Sequence, residues 1–396
     1  AGADGAAWHA QTAPQSRRLL EYDRKGTGMN LREGRIGNQE GVALAAIAAT
    51  MNAVFSCEGV WLFRTGNRTY ASAPAAAAIS LVLFLLAAKA MERRGAQNLD
   101  ALLRDSLGAA GGAAAGLLVA ATLVLSAAMP LVRMLSILHR FVFLEAGVKL
   151  IAVYFLAALT LLAMLGFEPL ARLAKLCFLP VMLSFAVLLV MAIPEYETYR
   201  LYPILAGGPE AFLRETVFGV LSYFPPLLIL LVCGKGVHGA SNAARLGTIA
   251  AGIAAALSAL VEFCIAMLFS FEHLREVYGP VFRMAMSVGS ASGMRMDRVL
   301  LFFWVAGILI GAAALFYAAG LQFCRSARMR DVRPAAMAAA GIGTTAALFG
   351  HYGAAWIERA VTAVLQYQWI VCAAPLLLAS LIAFSRKERK LCENAV

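Results

Sequence analysis

Arg200–Gly236 reads RLYPILAGGPEAFLRETVFGVLSYFPPLLILLVCGKG. A turn-rich lead-in, Leu201–Pro209, feeds an apolar run interrupted at Ser222-Tyr223-Phe224-Pro225-Pro226. Proline inside a helix removes a backbone donor and crowds the preceding turn. Two in succession are expected to break the helix and to strip carbonyls of their partners. Inside a bilayer such backbone survives only where protein, water or a ligand covers it. The broken segment therefore reads as half of a binding site within a membrane-embedded helix bundle.

The composition around this stretch supports that class. The chain has 396 residues, 61% of them hydrophobic, and a mean hydropathy of +0.75, whereas soluble domains are about half apolar. Apolar residues gather in runs of about 18–25, long enough to cross a hydrocarbon core of about 30 Å. The expectation is an all-α polytopic membrane protein with about ten transmembrane helices. They are placed at Gly41–Phe63, Ala71–Lys89, Ala110–Leu138, Val148–Leu165, Leu170–Ile193, Glu215–Cys233, Ala243–Phe271, Val299–Phe323, Ala335–Phe349 and Ala360–Phe384. The transmembrane domain spans 38–386, between an N-terminal tail, 1–37, and a short C-terminal tail, 387–396. Residues 1–28 lack a signal-peptide core. They read as a disordered cytoplasmic tail or as an over-extended reading frame, the second preferred, with Met29 as the true start.

The net charge of +11 does not indicate nucleic acid. Lys and Arg concentrate in alternate loops at about two to one, which places both termini in the cytoplasm. The seven cysteines, Cys57, Cys177, Cys233, Cys264, Cys324, Cys372 and Cys392, form no metal or disulfide pattern. GxSxG, HExxH and Walker patterns are absent and the five histidines are dispersed. The chain is therefore not read as an enzyme, and no cofactor or metal is expected. Met91–Leu107 carries Leu99, Leu102, Leu103 and Leu107 on one helical face and reads as an interfacial amphipathic helix. Gly108, Gly112 and Gly116, like Gly307 and Gly311, have the spacing of close helix packing. Glu272–Arg298 is long enough for one or two short helices over the outer mouth.

A second anomaly, Asn52-Ala53-Val54-Phe55-Ser56-Cys57-Glu58-Gly59, interrupts the first apolar run. Interrupted helices at corresponding places in two halves point to a midplane site in an inverted-repeat transporter. The expected ligand-binding set is Asn52, Ser56, Cys57, Glu58 and Gly59 from helix one, and Ser222, Tyr223, Phe224 and Pro225 from helix six. Tyr317 joins them from helix eight, beside Gln322. Glu58 either faces that site or ends helix one in the outer vestibule near Arg64. A charge in a span costs about 2.5–3.5 kcal/mol on insertion scales, so Glu58 and Glu262 are the candidates for proton or ion coupling. Arg133 is read as snorkelling to the outer interface.

Four stretches carry a family resemblance: Arg35-Ile36-Gly37-Asn38-Gln39, Gln97-Asn98-Leu99-Asp100 through Leu107-Gly108, Leu201–Gly208, and Asp297-Arg298 with Trp304 and Phe316-Tyr317. In order and spacing, over about Leu31 to Arg389, the chain resembles the spore germination permease family. That family comprises the B subunits of endospore nutrient germinant receptors, within the amino acid–polyamine–organocation superfamily. The resemblance implies a five-plus-five inverted repeat with helices one and six broken around a small germinant, commonly an amino acid. It implies an A subunit and a C subunit, a lipoprotein, as partners. It places the protein, among membrane lipids, in the spore inner membrane or the bacterial cell membrane. Pro225-Pro226, where the family has a glycine-containing break, and Glu58 are departures that bear on which germinant fits. Two other functions remain open: a proton-coupled amino acid transporter, and a passive ion or water pathway gated by partner subunits.

Overall fold

The computed structural model describes residues 34–56, 69–202, 208–274, 279–292, 296–352, 370–371 and 373–385. Among these residues no strand occurs. The helices are α1 Asn38–Ser56, α2 Thr69–Arg94, α3 Leu99–Ile137, α4 Val148–Leu165, α5 Phe167–Met191, α6 Gly208–Val232, α7 Ala240–Leu268, α8 Phe271–Leu274, α9 Pro280–Ser292, α10 Met296–Ala327, α11 Arg333–Tyr352 and α12 Ala373–Ser385. Seven of them, α2 to α7 and α10, are long and apolar enough to cross a membrane. The protein is thus an integral, multi-pass helical membrane protein. Helices α1, α11 and α12 stand at the places of three further predicted spans. The short α8 and α9 occupy the segment after α7 as expected.

Burial separates core from periphery. The apolar window of α6 is 94% buried, against 67% for α10 and 33% for both α4 and α5. A helix apolar on every side belongs inside, and α6 packs against α1, α2, α3, α7 and α10. In α1, Leu44–Ala49 is fully buried. Its alanines let neighbouring backbones approach, as small residues do in membrane interfaces. On α4 and α5 large side chains such as Tyr154, Leu161, Leu176 and Leu179 face outward, as a lipid-facing surface requires.

Two expectations are corrected here. The backbone of α6 is helical straight through Pro225 and Pro226 and ends at Val232. The fixed φ of proline is itself a helical value, so the pair removes two hydrogen bonds without forcing a break. By the i to i−4 pattern the carbonyls of Leu221 and Ser222 lose their helical donors. Neighbours hold the turn: Ser80 Oγ on α2 approaches Val220 O at 3.4 Å, and Tyr223 is tied to α7. The second correction concerns Leu99–Leu107. It is a helical arm, but Leu99, Leu102 and Leu103 are fully buried in protein rather than laid on lipid. Asn98 caps it by accepting from the Ala101 amide at 2.9 Å. The arm turns into the long part of α3 at Gly108, whose φ of 80° and ψ of 176° suit glycine.

The glycine spacings act through packing. A Cβ on Gly307 would meet the Met51 side chain at 2.9 Å, and one on Gly311 would meet Ala48 Cα at 3.0 Å, so α10 lies tightly on α1. Gly320 plays the same part against α11, where a Cβ would fall 2.6 Å from the Ala336 amide nitrogen. Gly252 faces open space. Gly320→Ala should therefore cost about 1–3 kcal/mol through overpacking. Gly252→Ala should be neutral or stabilise by about 0.4–1 kcal/mol. Thermal unfolding of the detergent-solubilised variants checks the contrast, and equal melting temperatures would refute the close contact.

Candidate functional site

Asn52 lies buried in the last two turns of α1. Its Nδ2 donates to Ala48 O at 3.1 Å, and its Oδ1 receives Ser126 Oγ of α3 at 3.4 Å. One turn on, Phe55 meets Trp304 of α10 at 5.7 Å, and Phe185 of α5 stacks on Trp304 at 5.4 Å and 19°. Trp304 Nε1 donates to Ser184 Oγ at 3.1 Å. The sequence marked Trp304 only as part of a resemblance; its two aromatic partners were not foreseen. Ser56 ends α1, while Cys57, Glu58 and Gly59 lie outside the described residues.

Across from α1, Ser222, Tyr223, Phe224 and Pro225 are all buried on α6. Tyr223 Oη shares a 2.5 Å hydrogen bond with Ser258 Oγ of α7, so its hydroxyl belongs to the α6–α7 seam. Glu262 stands one turn beyond Ser258. Its Oε2 is shielded from solvent with no hydrogen-bond partner among the described residues. Glu215 of α6, itself buried, is the neighbouring carboxyl group. The sequence reading passed over Glu215 because it sits at a predicted helix end.

Tyr317 is not brought together with these groups. It stacks on Phe167 at the start of α5, 6.1 Å and 13° apart. It lies about 20 Å along α10 from Trp304, at 1.5 Å per residue. Periodicity gave it a helix face but not a depth. Gln322, farther along, is fully buried with neither amide atom hydrogen-bonded among the described residues.

The end of the bundle where α1 begins holds a network that the sequence did not reveal. Arg104 pairs with Asp100 at 2.7 Å and donates to the Arg325 and Ser326 carbonyls at 2.6 and 3.0 Å. Arg325 Nη1 donates to Val232 O, the last carbonyl of α6, at 2.5 Å. The next residue, Cys233, is fully buried. The turn that follows accepts the lead-in to α1, Ile36 N donating to Gly236 O at 3.0 Å. Cβ atoms on Gly234 and Gly236 would collide with the Gln97 and Gly34 carbonyls at 2.6 and 2.7 Å. Three backbone segments thus cross beneath α6, and Gly234-Lys235-Gly236 was the available signal.

Residues 75–328 match the family described as spore germination protein, the spore permeases. The chain belongs to this family. The matched span runs from within α2 to just past α10. It includes the double proline of α6 and the arginine network, and leaves α1 outside. No curated protein matches the chain. Among solved structures, a nucleobase-cation-symport-1 family transporter, in a closed conformation with bromovinylhydantoin bound, superposes with a TM-score of 0.57 at 13% identity. The match covers 89% of this chain and 91% of that one. A manganese transporter of Eremococcus coleocola, in complex with an aromatic bis-isothiourea substituted compound, gives a TM-score of 0.50 at 12% identity, over 89% and 80%. At such identities these likenesses concern the fold: this spore permease has a transporter fold.

In this permease the α6–α7 seam is testable by a double-mutant cycle. Tyr223→Phe and Ser258→Ala should each lower thermal stability. Their double variant should show a coupling of about 0.5–1.5 kcal/mol, the worth of one buried hydrogen bond. Strict additivity would mean that the two hydroxyls do not interact.

Proposed function

We propose that this permease is the membrane-embedded, germinant-sensing subunit of a spore germination receptor, and that it binds an amino acid between α1 and α6. The observation that carries the reading is the consecutive prolines in α6, whose apolar window is 94% buried and which packs directly on α1. They take the helical donor away from the Leu221 carbonyl, and a ligand ammonium is a natural partner for it. Asn52 supplies an amide from the facing helix. The family membership supports a role in germination, and a transporter fold supports a small-molecule ligand. Binding would shift the bundle between two states only if the ligand prefers one of them. The same reading carries a ten-helix, five-plus-five arrangement in which α1 and α6 correspond, with both termini cytoplasmic. It places A and C subunits alongside in the spore inner membrane.

The test is thermal stabilisation of the purified protein by single amino acids. A selective ligand at about 100 times its Kd should stabilise by about 2.7 kcal/mol, and Asn52→Leu should abolish that response while the protein remains monodisperse. A flat response across the common amino acids would overturn the assignment of ligand class.

A proton-coupled transporter is the second reading, favoured by the shielded Glu262 beside Glu215. Protein in liposomes with an imposed pH gradient would then accumulate labelled amino acid, and Glu262→Gln would lose the dependence on the gradient. Uptake that is absent, or unchanged in Glu262→Gln, removes this reading and leaves sensing.

A further inference from the structure

A cavity of about 400 Å³ opens between the first two turns of α1, the third and fourth turns of α5 and the second to fourth turns of α7, lined among others by Asn38, Gln39, Lys175, Phe178, Arg245 and Ile249. Its chemistry is graded. The three helices run in the same direction away from the end where α1 begins, since each packs there through its early residues. On each helix the polar lining, Asn38 and Gln39 on α1, Lys175 on α5 and Arg245 on α7, precedes the apolar lining. Deeper positions are apolar: Val42 and Ala43 on α1, Phe178 on α5, Ile249 and Ile253 on α7. From Arg245 to Ile253 the stripe is about 12 Å long. Ile249 is 44% exposed and continues onto an outward-facing surface that includes Leu176 and Leu179 of α5.

Among the described residues the two cations are not spent on carboxylates. Among the described residues neither Lys175 nor Arg245 is in an ion pair, whereas Arg172, one turn before Lys175, holds Glu168 at 2.5 Å. Glu40, the acid nearest the start of α1, accepts from the Gly37 amide at 2.9 Å. Asn38 is fixed to α7 by Asn242 Nδ2 at 2.8 Å. A free anion would satisfy Lys175 and Arg245 but leave the apolar part of the lining bare. A neutral lipid tail would do the reverse. An amphiphile with an anionic head satisfies both, and basic pockets between transmembrane helices hold such headgroups.

We propose that this groove is a binding site for one anionic phospholipid, its phosphodiester between Lys175 and Arg245 and an acyl chain along Phe178, Ile249 and Ile253. The lipid would wedge α1 against α5 and α7. The site is separate from the α1–α6 contact and does not depend on any germinant.

The experiment is native mass spectrometry and thermal stability of the full chain in detergent, titrated with phosphatidylglycerol, phosphatidylcholine or inorganic phosphate. Phosphatidylglycerol should bind and stabilise, and the other two should not. Lys175→Gln with Arg245→Gln should weaken phosphatidylglycerol by about thirtyfold, the expected effect of removing two basic residues from a lipid surface. Lys235→Gln, an exposed cation of the same end that does not line the groove, should change nothing. Ile249→Trp keeps both charges and fills the apolar part. It should also weaken the lipid, which guards against a double variant that fails to fold. Equal binding of phosphatidylcholine, stabilisation by phosphate alone, or undiminished binding in the Ile249→Trp variant would each overturn the proposal.

Discussion

Two arginines closing helix ends hold one end of this molecule together. The last carbonyls of any helix lack intrahelical donors, and a cation placed there also meets the negative end of the helix dipole. Arg325 serves the last carbonyl of α6, and Arg104 serves the last turn of α10 while Asp100 keeps its guanidinium in place. The contacts join residues 93 and 221 positions apart in the chain. Breaking them would leave buried polar groups bare, at about 1–3 kcal/mol for each unsatisfied group. The tight backbone crossing at Gly34, Gln97 and Gly234–Gly236 sits on the same base, so it joins the lead-in to α1, the lead-in to α3 and the end of α6.

Much of the fold was legible because hydropathy reports a demand of the solvent. Runs of Leu, Val and Ile above α4 and α5 length admit no soluble reading, and the segment after α7 was long enough to announce α8 and α9. Helix α1, expected at Gly41–Phe63, is rich in alanine, and its small side chains let it sit in the core. The double proline misled in one respect. Reasoning on an isolated helix predicts a break, but burial among five neighbouring helices keeps φ and ψ helical at Pro225 and Pro226, and only the donors go missing. The loss of the two proline amide donors was nonetheless readable.

The candidate site was legible in its helices and less so in its depths. Asn52 and the Ser222–Pro225 turn lie on two helices that pack directly on one another. Tyr317 was misplaced along the bundle axis, because periodicity fixes an angle around a helix and says nothing of height. The partners of Trp304 and the arginine network lie on five different helices, and one sequence offers no means of pairing them. Local signals did exist in Asn98 as a cap and in the glycines of the α6–α7 turn, each of which marks a place where backbone approaches backbone.

Cys233, fully enclosed where α6 ends, gives this architecture a native clock. Its thiol is sealed in the same base that the arginines close, with Gly234 and Gly236 pressed against neighbouring backbone. A small membrane-permeant alkylating reagent can reach it only when that base separates. The rate at which Cys233 is consumed thus records how often the bundle opens at this end, in the unaltered chain and without an attached label.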